Sequence, residues 1–580
     1  MSQIEFLLPN QVRMNGRLSS RFQGNLNYLL DIYEKRKGWM LEPFQNRGQP
    51  WVIEPLRNKK AELAWAGEYA GKWLDAASLA AASSANAQLE QYCSNFAADL
   101  VAAQEAGGYL GIESPSHRAE NSEWDNWNIK YAMTGLLTHY EVYHDKTSLD
   151  AAVKCGEWLL DRYGMVSGAG HPFFRSTMEG GVNASIVDQV VRLYANTGEQ
   201  KFLDFASSIV THFPPIAEMR STHQAPLWHA YNLAGYLGGV VNLAAIDRRD
   251  DELQWVEKVW EDLTSKHLYP TGSLGYNELL QASGPNDTPV DGGQPERHHQ
   301  ETCATVEWLL LNASLYQATG NVRYFVRMEQ TIYNALLSAQ SLDGMSWMYF
   351  TPLRYEKRWF AGQTSCCYWS GPRGIARLPG WVFAMDQEGI RVNLFESCEA
   401  TLQMVGHEVA IRQSSLYPDG GGVILDFQPE IPLPFTLRLR IPLHVRETKF
   451  RLNGHPIQVV PEEDGYYLLR RQWSPGDRIE MEFRMPSAVR HFLNNRYGVL
   501  LRGPEVLTLD QRDNVPLDLD QVVLNNGMAL KSIQPMGSRR RYLGEVSVND
   551  QRVEAIFTPY ADCGGDGSRF RTAFPVSVRI

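Results

Sequence analysis

The segment Tyr194-Ala195-Asn196-Thr197-Gly198 recurs later in the chain as Tyr316-Gln317-Ala318-Thr319-Gly320. Each glycine stands where a residue in the left-handed conformation ends a helix, and a new helical pattern follows directly. The two segments therefore indicate a weak internal repeat of helical hairpins.

Amphipathic patterns with helical spacing extend from this repeat across the first ~385 residues. The predicted helices are about twelve: 17–36, 61–82, 84–106, 126–143, 147–163, 184–197, 199–212, 224–247, 251–267, 300–318, 322–340 and a short one after Pro372. About twelve helices in hairpins favour an (α/α)6 barrel, a toroid whose inner helices surround a central cleft. A helical solenoid is the alternative fold.

The pattern changes from helix to strand near Asp386. Phe435, Leu437, Leu439 and Ile441 alternate with polar residues, which is typical of a half-buried strand, and Asn453-Gly454 is a two-residue hairpin signal. We expect three domains: an (α/α)6 barrel over 1–385, a β-sandwich over 386–488 and a second β-sandwich over 489–580.

The composition of the 580 residues is that of a globular protein, with 44% hydrophobic and 21% charged residues. The formal net charge of −11 argues against nucleic acid or an anionic membrane as a partner. No apolar run approaches the ~20 residues of a membrane helix, and the N-terminus has no basic start or apolar core. These features predict a cytoplasmic protein, unless a leader has been removed. Nothing in the residues demands an oligomer, although a homodimer through the C-terminal strands is compatible with them.

Three of the seven cysteines lie in two short motifs, Glu301-Thr302-Cys303 and Cys366-Cys367. Thiolates and a carboxylate can complete a tetrahedral zinc shell. A Glu-x-Cys motif at a helix start can point both ligands inward, whereas adjacent cysteines are expected to reach one metal only from an irregular loop. The alternative is two unrelated patches of buried cysteine.

Together these motifs resemble glycoside hydrolase family 127, which includes bacterial β-L-arabinofuranosidases. The chain shares further stretches with that family, in order along most of its length. The clearest are Gly67-Glu68-Tyr69-Ala70-Gly71-Lys72-Trp73-Leu74-Asp75, Lys130-Tyr131-Ala132-Met133-Thr134-Gly135, Tyr269-Pro270-Thr271-Gly272-Ser273-Leu274-Gly275, Gly374-Ile375-Ala376-Arg377, Trp473-Ser474-Pro475-Gly476-Asp477 and Leu501-Arg502-Gly503-Pro504.

The resemblance implies an (α/α)6 barrel followed by β-sandwiches. It also implies a zinc ion held by one glutamate and three cysteines, which here are Glu301, Cys303, Cys366 and Cys367. The nucleophile of the family corresponds to Cys366, and its general acid/base corresponds to Glu278, with Glu296 as a competing candidate. A substrate-binding histidine corresponds to His229.

With these residues the expected reaction is retaining hydrolysis of a terminal sugar, by a zinc-bound thiolate that forms a thioglycosyl intermediate. The expected substrate is an oligosaccharide or other glycoside that carries β-L-arabinofuranose.

Departures from the family pattern near the expected pocket leave the sugar open. His298 and His299 are candidates for substrate contact, although a solvated loop is the favoured interpretation of that segment. Arg373 is a candidate partner for a substrate carboxylate, although structural pairing is the commoner role of such an arginine. An acidic branched pectin sugar, aceric acid, is therefore an alternative substrate.

Two further alternatives concern the class of protein. One is a non-catalytic carbohydrate-binding protein stabilised by zinc, and the other is a sugar epimerase or lyase on the same toroid.

Overall fold

The computed structural model describes residues 4–47, 64–118, 122–175, 181–281, 299–357, 365–462, 464–492, 497–525, 528–536 and 539–576. Within these ranges twelve helices have ten residues or more. They are α1 (Arg17–Gln45), α2 (Glu68–Ser84), α3 (Ala87–Ala102), α4 (Ser122–Tyr143), α5 (Lys146–Tyr163), α6 (Val187–Thr197), α7 (Gln200–His212), α8 (Ala230–Asp247), α9 (Asp250–Asp262), α10 (Thr302–Thr319), α11 (Val322–Thr331) and α12 (Cys367–Ala376).

The even-numbered helices form a closed inner ring. Each of them contacts the next even-numbered helix, and α12 returns to contact α2. Each odd-numbered helix packs against the inner helix that follows or precedes it. This arrangement confirms the (α/α)6 barrel, and the solenoid alternative is wrong because the ring closes.

Glycines mark where the helices end and where they approach most closely. Gly198 and Gly320 end α6 and α10 with φ of 73° and 72°, which confirms the helix stops expected from the repeated segment. Gly71 on α2 lies against the backbone of α4, where an added Cβ would stand 1.6 Å from the Tyr131 carbonyl oxygen. Only glycine permits this crossing of two inner helices.

The strands follow the helical part of the chain, apart from five short ones. Those five are β1 (Glu5–Phe6), β2 (Val12–Met14), β3 (His299–Glu301), β4 (Phe350–Pro352) and β5 (Arg354–Tyr355). The next ten are β6 (Phe383–Asp386), β7 (Gly389–Val392), β8 (Cys398–Met404), β9 (His407–Ser415), β10 (Gly422–Pro429), β11 (Leu433–Arg440), β12 (Glu447–Leu452), β13 (His455–Ile457), β14 (Tyr466–Trp473) and β15 (Asp477–Arg484). The last nine are β16 (Ser487–Phe492), β17 (Tyr497–Arg502), β18 (Glu505–Asp510), β19 (Val522–Val523), β20 (Lys531–Met536), β21 (Arg539–Val548), β22 (Gln551–Pro559), β23 (Phe570–Arg571) and β24 (Phe574–Pro575).

Two sheets face each other after the barrel. One has the order β1-β6-β7-β11-β14 and the other β13-β12-β15-β10-β9-β8-β2. Their buried faces meet at Phe427, Phe435 and Trp473, with ring centroids 4.7 Å apart for Phe427 and Trp473. Because β1 and β2 belong to these sheets, the N-terminal residues tie the sandwich to the barrel.

The last nine strands form one hydrogen-bonded sheet of their own, which β5 joins through β23. This C-terminal sheet shares a buried cluster with the loop after α9, where Tyr269 and Tyr276 pack with Val499, Val506 and Tyr560. The C-terminal part therefore supports a loop of the barrel that carries a candidate catalytic residue. In the described part of the chain, no helix is both long enough and apolar enough to cross a bilayer.

Candidate active site

One end of the inner ring opens into a cavity of about 360 Å³, here called the front cavity. Its lining comes mainly from the starts of α2, α4, α8 and α10 and from residues that precede α2, α8, α10 and α12, because these helices start at the same end of the ring. The lining residues are Trp65, Glu68, Lys72, Trp124, Trp127, Val182, His229, Tyr231, Asn232, Glu278, Glu301, Cys303, Tyr349, Ser365 and Cys366.

Glu301, Cys303, Cys366 and Cys367 converge at the base of this cavity. One ligand atom from each residue lies within 4.8 Å of the others. The Cys303 and Cys367 sulfurs are 3.4 Å apart, and those of Cys366 and Cys367 are 3.9 Å apart. The sequence motifs therefore form one cluster rather than two unrelated patches.

The starts of two inner helices produce this convergence. Glu301 precedes α10 with the extended angles φ −71° and ψ 133°, so its side chain and that of Cys303 point to the same place, as expected. The expectation of an irregular loop for the adjacent cysteines is wrong. Cys366 has helical angles, φ −50° and ψ −34°, at the residue directly before α12. The first turn of α12 therefore brings both sulfurs to the cluster.

Burial and hydrogen bonding act in opposite directions on the pKa values of the cluster. Burial raises the pKa of Glu301 well above its usual range, and it does the same for Cys303 and Cys367. Hydrogen bonds with Cys303 and Cys367 instead hold the pKa of Cys366 well below its ordinary value, and Lys72 acts in the same direction. Cys366 is thus the sulfur that most readily carries negative charge.

The donor set fits a metal ion. Glu301 Oε2 is buried and has no hydrogen-bond partner among the described residues. A tetrahedral ion with metal–sulfur bonds of about 2.3 Å requires sulfur–sulfur separations of about 3.8 Å, close to those of the cluster. Soft thiolates with one carboxylate can bind a metal, although the geometry alone does not identify which one.

Glu278 stands at the tip of a tight hairpin on the wall of the front cavity. Tyr276 and Leu279 exchange two backbone hydrogen bonds, of 2.8 and 3.1 Å, around Asn277 and Glu278. Both central residues have positive φ, 50° and 74°, as a type I′ turn requires. A glutamate rarely adopts this conformation, so the hairpin holds the Glu278 carboxylate in place at some cost in backbone strain.

Two side chains orient the Glu278 carboxylate. The Tyr349 hydroxyl donates a hydrogen bond to Glu278 Oε1, and His229 Nε2 lies 3.8 Å from Glu278 Oε2. His229 precedes α8, and its neighbours Trp228 and Ala230 are joined to the hairpin by backbone hydrogen bonds of 2.7 and 2.8 Å. Tyr349 also contributes to the lowered pKa of Cys366, and it lines the front cavity together with both catalytic candidates.

Three functional candidates were missed by the sequence analysis: Glu68, Lys72 and Tyr349. Glu68 and Lys72 form a fully buried ion pair on α2, with 2.9 Å between Oε2 and Nζ. Burial raises the pKa of Glu68 to about 7. The stretch that contains this pair resembles the family, but nothing in the local sequence marks it as part of a cavity.

The remaining sequence candidates lie elsewhere. Glu296 and His298 fall outside the described residues, and of His299 only the backbone position in β3 is described. Arg373 is buried and does not reach the front cavity. Its guanidinium pairs with Asp75 at 2.8 Å and with Glu307 at 2.9 Å, so the structural role is confirmed and the substrate contact is wrong.

Two models of one protein family match most of the chain. The model of the β-L-arabinofuranosidase GH127 catalytic domain matches residues 11–380, and that of the GH127 middle domain matches residues 389–485. A non-reducing end β-L-arabinofuranosidase of Bifidobacterium longum is 22% identical over 538 residues, covering 79% of this chain and 77% of its own length.

Two solved structures have the same fold over nearly the whole chain. A GH127 β-arabinofuranosidase superimposes with a TM-score of 0.83 at 21% identity, covering 99% of this chain and 98% of its own. A GH127 β-L-arabinofuranosidase from Geobacillus stearothermophilus T6 gives 0.82 at 20% identity, with coverage of 98% and 100%.

Proposed function

Because this chain belongs to the GH127 family of glycoside hydrolases, we propose that it is a retaining exo-β-L-arabinofuranosidase with Cys366 as its nucleophile. Its relatives of described activity act on β-L-arabinofuranosides, one of them at the non-reducing end. The observation that carries the proposal is the front cavity, where Cys366 and Glu278 line the same space.

Cys366 is the cluster sulfur best placed to attack a substrate. Of the four donors it alone is only half-buried, and Cys367 does not line the front cavity. We propose zinc as the ion that these four residues hold, since their donor set suits it. When bound, zinc would keep the Cys366 sulfur deprotonated at neutral pH.

The reaction proceeds in two displacements. The Cys366 thiolate attacks the anomeric carbon, the bond to the leaving oxygen breaks, and protonated Glu278 gives its proton to that oxygen. In the second displacement Glu278 takes a proton from water, the water oxygen attacks the anomeric carbon, and the carbon–sulfur bond breaks. Two inversions give net retention.

His229 and Tyr349 support both displacements. Tyr349 holds one oxygen of Glu278 by a hydrogen bond, so the other oxygen faces the substrate and His229. His229, whose side chain is 17% exposed at the cavity wall, is the proposed substrate contact.

No observation favours the acidic pectin sugar. Arg373, the expected partner for a substrate carboxylate, is occupied by Asp75 and Glu307. Among the described residues that line the front cavity, the one lysine or arginine is Lys72, which is paired with Glu68.

The test is release of nitrophenol from p-nitrophenyl β-L-arabinofuranoside by wild type and by Cys366→Ala. We expect turnover by the wild type, with the β anomer as the first product by proton NMR, and none by Cys366→Ala. Cys155→Ala is the matched control, because Cys155 is a buried thiol on α5 that accepts a hydrogen bond from Gln104 and does not line the front cavity. Turnover by Cys366→Ala, or none by folded wild type, would contradict the proposal.

A further inference from the structure

We propose that Glu68 sets the sugar specificity of the front cavity by accepting a hydrogen bond from a ring hydroxyl of the bound sugar. The inference rests on the proposed function, because it names a contact made by the same sugar in the same cavity. The start of α2 thereby has a role in sugar recognition, in addition to the roles of the four-residue cluster and Glu278.

The two oxygens of Glu68 have different surroundings. Oε2 accepts a hydrogen bond of 2.6 Å from the Trp127 indole N–H on α4, and it also pairs with Lys72 Nζ at 2.9 Å. Oε1 is buried and has no hydrogen-bond partner among the described residues. Glu68 itself lines the front cavity and is 1% exposed.

This arrangement fixes the direction of the open oxygen. The Trp127 indole N–H on α4 holds Oε2 by a hydrogen bond and the Lys72 ammonium attracts the same oxygen, so the carboxylate cannot rotate freely to satisfy Oε1. The Lys72 ammonium is itself fixed, since it lies 4.6 Å from the centre of the Tyr131 ring and is fully buried. A buried acceptor in this state is destabilising until a donor reaches it.

A sugar hydroxyl is the donor that suits this position. It is neutral, it carries a proton to give, and it enters a cavity whose walls include four aromatic side chains, Trp65, Trp124, Trp127 and Tyr231. A sugar carboxylate does not suit it, because Glu68, Glu278 and Glu301 already line the same space. The geometry therefore points to a neutral sugar with a hydroxyl directed at α2.

An alternative explanation is purely structural, in which Glu68 only neutralises Lys72. Overall activity does not separate these two roles, since loss of either would slow the enzyme. Discrimination between substrates with and without one hydroxyl does separate them, because a structural role has no reason to depend on that hydroxyl.

The experiment compares kcat/KM for p-nitrophenyl β-L-arabinofuranoside and its 2-, 3- and 5-deoxy analogues, in wild type and in Glu68→Gln. For one analogue we expect the kcat/KM of the wild type to be about 10- to 150-fold lower than for the parent glycoside. This is the range for the loss of a hydrogen bond to a charged acceptor. Glu68→Gln should reduce that preference to under about 3-fold, since the amide no longer presents the same acceptor. Glu307→Gln is the matched control, a buried glutamate paired with a cation outside this cavity, and it should keep the wild-type preference.

Metal content and melting temperature establish that each variant is folded. If Glu68→Gln does not fold, Glu68→Asp replaces it, and its shortened side chain should give an intermediate preference. Equal preferences in wild type and the Glu68 variant for all three analogues would overturn the inference while leaving the proposed function in place. A wild type that does not hydrolyse the parent glycoside would instead overturn the proposed function, and this contact with it.

Discussion

The two ends of the inner ring hold cavities of nearly equal size, about 360 Å³ at the front and about 350 Å³ at the rear. The rear cavity is lined by residues further along these inner helices, by the start of α6 and by the residue after α12, among them Thr138, Gln189, Asn242, Glu307 and Arg377. Charged residues line both cavities, so neither size nor charge distinguishes them.

The difference lies in how the ionisable groups are satisfied, since the rear-cavity atom without a hydrogen-bond partner among the described residues, Gln189 Oε1, belongs to an uncharged amide. At the rear the protein pairs its own charges, for example Arg373 with Asp75 and Glu307, and Arg192 with Glu141. At the front, Glu301 Oε2, Glu68 Oε1 and His229 Nδ1 are buried without hydrogen-bond partners among the described residues. Paired charges stabilise the barrel, whereas buried polar atoms without a hydrogen-bond partner are available to bind a ligand.

The first prediction tests the front end through Glu278→Gln. We expect a loss of about 10²- to 10⁴-fold in kcat/KM, because a general acid/base contributes on that order. The measurement is hydrolysis of p-nitrophenyl β-L-arabinofuranoside, with metal content and melting temperature unchanged. Glu141→Gln is the matched control from the rear cavity, similar in exposure at 38% against 31% for Glu278, and it should retain full activity. Full activity in Glu278→Gln would favour a non-catalytic role for this residue.

The second prediction tests the rear end through Arg373→Met. Removing one partner of a buried ion network leaves Glu307 without its guanidinium, and we expect about 3–5 kcal/mol of lost stability. The measurement is the denaturant midpoint, together with kcat per folded molecule, which should change little. Arg484→Met, which breaks an exposed pair with Glu447, should leave the midpoint unchanged. If Arg373→Met lost activity without losing stability, the two ends would not differ as described.

The third prediction concerns Tyr349, which donates a hydrogen bond to Glu278 and contributes to the lowered pKa of Cys366. Tyr349→Phe removes a donor to a charged group, so we expect a loss of about 10- to 150-fold in kcat/KM. Tyr143→Phe is the control, because the Tyr143 hydroxyl donates to the Ser78 carbonyl away from both catalytic candidates. A Tyr349→Phe enzyme with wild-type kinetics would show that the hairpin alone positions Glu278.

The fourth prediction concerns the stability effect of a buried carboxylate oxygen that has no hydrogen-bond partner at a position where no ligand is expected. Asp125 Oδ2 is buried without a partner among the described residues, and Asp125 lines neither cavity. Burial raises the pKa of Asp125 from 3.8 to about 7, although its hydrogen bond from Tyr109 opposes this. The folded chain keeps this proton up to about pH 7 and the unfolded chain releases it near pH 3.8. The stabilisation of the folded chain by the proton on Asp125 is therefore complete below pH 3.8 and is lost as pH rises through 7.

The measurement for this prediction is the melting temperature of wild type and Asp125→Asn from pH 4 to pH 8. Because asparagine resembles the protonated acid, the variant should gain relative to wild type as pH rises, by on the order of 1–2 °C. Asp150→Asn, on the exposed side of α5, should show a difference that does not vary with pH. A pH-independent difference for Asp125→Asn would mean that Asp125 is ionised in the folded chain throughout.

Local signals in the sequence predicted the helix ends and the class of fold. Gly198 and Gly320 stop helices because a left-handed residue is a local requirement. The start of α12 was not predicted, since Pro372 was expected to precede that helix and instead lies inside it. Pro372 has no N–H and so cannot donate the usual helical hydrogen bond to the Tyr368 carbonyl. That carbonyl instead accepts a hydrogen bond of 3.1 Å from the Tyr28 hydroxyl on α1. That compensation comes from a distant helix and leaves no local trace.

In the candidate site, too, the residues in recognisable motifs were predicted, and those that depend on distant contacts were not. The residues carried over from the family motifs, namely the four donors, Glu278 and His229, lie together at the front cavity, while their individual roles stay predictions. Glu68 and Lys72 were missed because a Glu–Lys pair four residues apart is usual on exposed helix faces. Only closure of the ring buries this pair, and ring closure is not encoded in any single helix.

The central claim is that the front end of the ring is left open to hold one metal ion on Glu301, Cys303, Cys366 and Cys367. Elemental analysis of the purified protein by mass spectrometry tests it directly, beside Cys303→Ser and the buried β-strand control Cys398→Ser. We predict one zinc ion per chain in wild type and in Cys398→Ser, and almost none in Cys303→Ser. A metal-free protein that hydrolyses its substrate, or zinc retained in full by Cys303→Ser, would contradict the claim.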